Sequence, residues 1–517
     1  MDSFKEQALK EYSSDTKTVR RCKDGKPFWN TYSTQFMYAP EFFFPKIPGT
    51  KECIFVVTDS MGREHTFTED SSVAPLTPIW NDISPGIAEL KVYAVHGANG
   101  EKYLAGARSF CKMDPFPGRE SLPERACSYK DCAAKAFDYV FNDDTTQYWL
   151  THGLPKPDYY HNVYPSKMIS SLVKAMLSYG ELVPEKHEEA LKIATNAADY
   201  LLSITYGEDS ALAGLPPTYS FKGLDKEIVD KNAPAADRRK HLLMSIYPAS
   251  AGSAYLLLEK ATGDKKYLNA ATKIAEYYKN NVLESGSWYL LINEKDGKPE
   301  SPNHCAEFSI LEFLNSYYKR TGDECWHILE RNYFSHLGKT YFENYNWEGQ
   351  FEDSTLSTNY NNLTHLNADK MIRYITENFS DDAEMIEFAE ELMRFVEDQF
   401  VVWGDFAPWN QFLNPAEKWY SPAVLEQYYW YVPIDGSTAM VALAFLNMYE
   451  VTKDELYLEK ALALGDSITR MQNPESGVIP THWMTTDCST VLKNFWMNCH
   501  IGSAYAMKEL AKATGEI

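Results

Sequence analysis

The sequence predicts a mainly α-helical protein in which six helical hairpins close into a toroid, preceded by a small antiparallel β-sandwich. Three observations predict it. Between about residues 28 and 112, short stretches rich in Val, Phe and Tyr alternate with turn signals. Beyond residue 124 the apolar period becomes helical and stays so. The helical part also repeats one unit: a helix opening on small or polar residues, a tight turn, and a second helix that often carries Y-L-x-x-A.

Residues 1–27, beginning MDSFKEQALKEYSSD, are polar and read as an N-terminal extension. They lack the apolar stretch of a secretory signal, and no run of about eighteen apolar residues follows elsewhere. The expected location is cytoplasmic, or periplasmic or secreted if a leader has been removed. Within residues 28–112, ECIFVVTD, HTFTED, AELKVYAVHG and KYLAGARSF are separated by SMGRE and GANGE, a spacing that suits a compact sandwich of the immunoglobulin or fibronectin type. The Pro- and Gly-containing stretch MDPFPGRESLP, residues 113–123, reads as a linker.

From residue 124 to 517 the clearest hairpins are residues 247–282 and 432–468. Three helices share one opening, Gly252-Ser253-Ala254, Gly436-Ser437-Thr438 and Gly502-Ser503-Ala504, and small residues there let neighbouring backbones approach closely, as a crowded inner ring requires. Inner helices start near Tyr164, Tyr247, Cys305, Leu363, Asp435 and His500. The last ends the chain without an outer partner, and the helix expected over 125–144 can supply it, which closes the ring. An open solenoid is the competing arrangement, but it would usually carry polar capping repeats and steadier repeat lengths.

A β-sandwich followed by hairpins with GS[AT] inner starts, TGD turns and Y-L-x-x-A outer helices resembles the six-hairpin (α/α)6-barrel glycosidase superfamily, which includes unsaturated glucuronyl hydrolases and related uronate-acting enzymes. The resemblance covers residues 124–517 as a pattern and matches no single family's catalytic motif. It implies an (α/α)6 barrel and a glycoside hydrolase acting on an oligosaccharide, uronate-containing fragments included.

Lys and Arg number 50 against 72 Asp and Glu, a formal charge of -22, which repels nucleic-acid phosphate and anionic lipid alike. Neither partner is expected. The 9 cysteines are scattered without a CxxC pair and read as reduced thiols. The Cys499-His500 pair resembles the zinc ligands of lanthionine cyclase-like toroids, but the preceding hairpin begins IDGSTA and lacks the further Cys such a site needs, so no metal and no cofactor are expected.

Inner-to-outer turns are short, whereas outer-to-inner loops run to twenty residues and more, and long structured loops are usually functional. Those loops also hold the rings, among them Tyr160, Trp288, Tyr360, Trp409 and Trp430, with Tyr247 at an inner start. Aromatic faces beside polar groups suit a sugar, with its apolar CH face and hydroxyl rim; packing of the loops onto the barrel is the plainer alternative. The stretch NWEGQFEDST, residues 346–355, puts Trp347, Glu348, Gln350, Glu352 and Asp353 at the mouth. Glycoside cleavage needs one carboxylic acid and one carboxylate, so Glu352, Asp353 and Asp435 are the catalytic candidates, the first two against a solvated surface loop and Asp435 against a helix cap. Asp158, Asp405 and Glu426 are further carboxylates. Trp347, Glu348, Gln350, Asp158, Tyr160, His161, Tyr247, Trp288, His304, Tyr360, His365, Trp409, Trp430, His482 and His500 are the expected substrate-binding set. A uronate lyase or sugar epimerase would instead use a mouth His or Tyr as base. A non-catalytic carbohydrate-binding protein is the third reading.

Overall fold

The computed structural model describes residues 3–22, 29, 33–97, 100–339, 364–404, 420–426, 432–483 and 495–517. The stretch 346–355 with its five candidates lies outside the described residues, as do Tyr360, Asp405, Trp409 and Trp430.

The chain opens on helix α1 (Phe4–Tyr12), started by a reciprocal cap in which Ser3 and Glu6 each accept the other's backbone N–H. Five strands follow: β1 (Gln35–Phe36), β2 (Thr50–Thr58), β3 (Glu64–Glu69), β4 (Gly86–His96) and β5 (Lys102–Lys112). They form one sheet in the order β1-β5-β4-β2-β3, antiparallel except for the short edge strand β1. This differs from the expected sandwich, for the described residues hold no second facing sheet. Alternation in β2 and β4 buries Cys53, Phe55, Val57, Leu90 and Val92 on one face, but irregular segments cover that face. The Trp80 and Phe42 rings lie 5.9 and 5.8 Å from Phe110, and Arg108 sits 4.4 Å over Phe42. Period-two patterning reports a buried face and says nothing of what buries it.

The remainder is mainly helical: α2 (Tyr129–Asn142), α3 (Asp144–His152), α4 (Pro165–Leu182), α5 (His187–Ser203), α6 (Lys226–Asn232), α7 (Pro234–Arg239), β6 (Leu242–Met244), α8 (Tyr247–Thr262), α9 (Lys265–Asn281), β7 (Leu291–Asn293), α10 (Phe308–Thr321), α11 (Glu324–Gly338), α12 (Leu366–Asn378), α13 (Ala383–Phe400), β8 (Val401–Val402), β9 (Ala423–Val424), α14 (Asp435–Thr452), α15 (Glu455–Met471) and α16 (Met497–Ala513). The inner helices α4, α8, α10, α12, α14 and α16 pack in that order, and α16 returns to α4. The outer helices α5, α9, α11, α13 and α15 each pack on the inner helix before them, while α2 packs on α16. The tight turns stop one helix and start the next by one device. Gly263 and Gly322 take left-handed backbone, and Asp264 and Asp323 then cap the following helix. In the turn VTKD, Lys453 holds the same left-handed position at φ 59 and Asp454 is the cap.

First and last helices are clasped at the closure. His500 Nε2 donates to Ala136 O at 2.9 Å, and its Nδ1 accepts from Ile479 N at 3.2 Å. Gln472 donates to Cys132 O, and Glu516 accepts Lys130 N–H at 2.9 Å.

The small domain joins the ring through a buried polar junction at the end of α13. Glu397 accepts from Tyr12 OH at 2.7 Å, Trp403 Nε1 at 3.1 Å, Tyr38 OH at 3.1 Å and Lys460 Nζ at 2.7 Å. Asp398 accepts Met37 N–H at 2.5 Å and Tyr38 N–H at 2.7 Å, and Gln399 Nε2 reaches both Asp398 at 2.7 Å and Gln35 O at 2.9 Å. Tyr12, at the end of α1, ties the described part of the N-terminal segment into this junction. No helix among the described residues is long and apolar enough to cross a membrane.

Candidate active site at the mouth of the ring

Inner helices all begin at one mouth, near which β6 pairs with β7 and β8 with β9. Asp435 is the first residue of α14, fully buried, and makes no cap hydrogen bond. Its Oδ2 accepts Ser503 Oγ from α16 at 3.0 Å, and its Oδ1 has no hydrogen-bond partner among the described residues. Burial pushes its pKa well above the carboxylate range, only partly offset by Ser503 and backbone N–H groups. Asp435 thus stands at the first position of α14 rather than at its cap, and burial disfavours its charged form.

His365 precedes α12 and is also fully buried. Its Nδ1 meets Asp369 Oδ2 at 2.5 Å, one helical turn on, while His365 Nε2 and Asp369 Oδ1 have no partner among the described residues. Burial raises the Asp369 pKa against the pull of His365. Glu426, just after β9, is held by its backbone: its N–H donates to Val432 O, and its carbonyl accepts Thr364 Oγ1 at 3.1 Å. Burial pushes its carboxyl up to about 7, against the opposing pull of His365 and of Lys167 from α4. Burial likewise raises the Cys499 thiol on α16, which feels Asp435, Glu426 and Lys167. One electrostatic neighbourhood thus joins α4, α12, α14, α16 and the β9 loop.

Below this floor the lumen is polar. Lys174 on α4 interacts with Glu312 on α10 and with Lys370 and Arg373 on α12, the helix opposite α4 in the ring, so these side chains point to the axis. Lys174 is solvent-accessible, yet desolvation lowers its pKa. Both hold if the solvent it meets is confined to a narrow lumen.

The other expected site residues divide. His161 stacks on Tyr160 at 4.1 Å near Lys167, and burial lowers its pKa. Tyr247 is the first residue of α8, and His304 bridges Tyr289 beside β7. His482 pairs through its backbone with Ile434 and packs edge-on to Trp496, its pKa lowered by burial. Asp158 is an exposed partner of Lys156 at 3.4 Å. Trp288 is a correction: its ring is 1% exposed and lies between Tyr278 and Tyr333, with Nε1 donating to Tyr278 O at 2.7 Å, so it offers no face to a sugar. His500 is another, for both ring nitrogens are held by backbone across the closure and burial drops its pKa to about 4. With no nitrogen left, it is neither substrate contact nor metal ligand. Asp369 was missed by sequence reasoning, although the His-x-x-x-Asp spacing on one helix face was there to find. Among the described residues no cluster of His, Cys, Asp and Glu could hold a metal ion.

No family profile and no curated protein matches this sequence. Solved structures do. A cellobiose 2-epimerase from Spirochaeta thermophila superposes with a TM-score of 0.50 at 11% identity, covering 74% of this chain and 98% of that one. A family 76 glycoside hydrolase from a bovine Bacteroides thetaiotaomicron strain gives 0.45 at 11% identity over 93% and 98%. An unsaturated glucuronyl hydrolase specific for heparin gives 0.45 at 14% over 75% and 98%. The helical part of this chain, with its six closed hairpins, has the (α/α)6-barrel fold.

Proposed function

We propose that the protein is a glycoside hydrolase that takes a short oligosaccharide, with uronate-containing fragments among the candidates, into the mouth of the ring. The observation that carries this reading is Glu426: a half-buried carboxyl held near neutrality, beside His365 and Lys167, where the inner helices begin. A carboxyl in that state carries its proton on about half of the molecules at pH 7 and can give it to a leaving glycosidic oxygen. The partner that activates water or attacks carbon is a carboxylate of the loop 346–355, Glu352 or Asp353, as paired-carboxylate chemistry requires. Trp347, Glu348, Gln350, Tyr360, Trp409 and Trp430 stay in the proposed binding set, with Tyr160, His161, Tyr247, His304 and His482. Asp435, fully buried and tied to Ser503, shapes the floor rather than taking the second role.

A second reading has its own observation. The His365–Asp369 pair fixes one ring nitrogen and leaves Nε2 without a partner among the described residues, the arrangement of an oriented general base. Opposite a protonated Glu426 it suits abstraction and return of a proton beside a carbonyl, as an epimerase or uronate lyase needs. One experiment separates the readings: the full chain is incubated with a panel of neutral and uronate-containing oligosaccharides in heavy water. Hydrolysis yields new reducing ends and no carbon-bound deuterium. Epimerisation yields deuterium on carbon, a lyase yields an absorbing double bond, and no change in any sugar would leave a binding protein.

A further inference from the structure

Cys127 and Cys132 sit at the start of α2, the helix that closes the ring. Ser128 caps this helix by accepting Asp131 N–H at 3.0 Å, which makes Cys127 the residue before the cap and Cys132 the fourth residue of the first turn. Side chains at those two positions face each other across a helix start. Here both are thiols, and the interaction between the two side chains lowers the pKa of Cys127 and raises that of Cys132. Their surroundings differ: Cys127 is half-buried at the surface, whereas Cys132 is fully buried. Cationic Lys135 and Arg125 favour a thiolate at Cys127 while Asp131 and burial oppose it, and the contact with Cys132 tips the balance, bringing its pKa to about 7.

We propose that Cys127 and Cys132 form a redox modification site, in which a small hydroperoxide joins the two sulfurs as a disulfide across the N-terminus of α2. The Cys127 thiolate attacks the peroxide oxygen, the O–O bond breaks, and water or the corresponding alcohol leaves a sulfenic acid on Cys127. The Cys132 sulfur then attacks that sulfur, a second water leaves, and the S–S bond forms. Two thiols lose two hydrogens while one peroxide is reduced. Exposure suits Cys127 to the first step and burial suits Cys132 to the second. The crosslink spans one helical turn, so the seam contacts from Gln472 to Cys132 O and from Ala126 N–H to Thr469 are expected to persist.

The test is stepwise oxidation of the full chain with hydrogen peroxide, followed by peptide mapping without reductant. The expected result is a peptide linking Cys127 to Cys132, reversed by dithiothreitol, with the native melting transition retained. In Cys132→Ala, Cys127 should stop as a sulfenic acid that dimedone traps, and its alkylation near pH 7 should slow by about threefold or more, because the side chain that favours its thiolate is gone. The proposal is overturned if wild-type Cys127 proceeds to sulfinic acid with Cys132 still a thiol, if the link maps to another pair, or if other cysteines oxidise while both stay reduced. The wild-type map decides even if the variant folds poorly.

Discussion

The junction under α13 and the floor of the mouth both bury charge, and they treat it in opposite ways. At the junction every carboxylate oxygen of Glu397 and Asp398 accepts at least one hydrogen bond. At the floor, Asp369 Oδ1, Asp435 Oδ1 and His365 Nε2 have no partner among the described residues. The size of a pKa shift does not separate the two places, since burial raises both Asp398 and Glu426 to about 7. What separates them is whether the carboxyl oxygens find partners among the described residues. A buried carboxylate with its bonds made fixes a structure, while groups without a partner among the described residues mark where ligand contact is worth testing.

The largest effect that would break this contrast is at Glu426. Glu426→Gln should lower turnover by about 10²–10⁴-fold, the usual worth of a general acid, and leave the melting temperature unchanged or higher, because a neutral amide replaces a carboxyl that burial disfavours when charged. Steady-state rates and a thermal melt on one preparation check both halves. Activity within a few-fold of the parent would remove Glu426 from the chemistry.

The reverse pattern is expected from Lys460→Met. The Lys460–Glu397 pair is buried with 0% and 1% of its side chains exposed, and removing one partner of such a pair typically costs about 3–5 kcal/mol. Chemical denaturation should show that loss, while kcat/KM of the folded fraction stays within a few-fold of the parent. Adding Glu397→Gln should recover part of the stability, since the uncompensated charge is then gone.

The two carboxyls near 7 can be told apart by pH. Each has a folded pKa above its unfolded value, so each favours folding most below about pH 4, and that contribution is lost as pH rises through about 7. For the fully buried Asp398 the full swing has an upper bound on the order of 4 kcal/mol. Asp398→Asn should flatten the stability profile between those limits and leave the activity profile alone. Activity itself should fall as pH rises through about 7, because the acid form of Glu426 is the working one. That alkaline limb should vanish in Glu426→Gln and persist in Asp398→Asn.

Much of the ring was legible in the sequence, and for physical reasons. Crowded inner helices need small residues at their starts, tight turns need a left-handed residue and an Asp cap, and a last helix without a partner needs the first. The small domain was legible only as a half-buried sheet, because segments such as Pro40–Phe44 and Leu76–Ile83 that cover it have no period. At the site, position along the chain suggested candidates for the mouth but could not tell which of them are buried. Trp288 and His500 read like Trp347 and His365, yet their hydrogen bonds to Tyr278 O, Ala136 O and Ile479 N–H make them core. Glu426 stood among secondary carboxylates because its shift comes from burial, which no local pattern encodes.

The smallest expected effect belongs to Asp435, and it sharpens the contrast from the side of the mouth. Burial disfavours the charged form of this carboxyl, and Asp435→Asn puts a neutral group of the same shape in its place. The Ser503 hydroxyl can still donate, now to the amide oxygen, and the amide N–H₂ takes the place of the oxygen that had no partner. Stability should change by less than about 1 kcal/mol, the scale of one hydrogen bond exchanged for a similar one. Turnover should stay within a few-fold of the parent, and the pH profile should keep its limb near 7. A fall of about a thousandfold with the fold intact would mean that Asp435 loses its proton during the reaction and serves as the second carboxylate. The role now given to Glu352 or Asp353 would then pass to the floor of the ring, and Glu352→Gln and Asp353→Asn should both be nearly silent in the same assay.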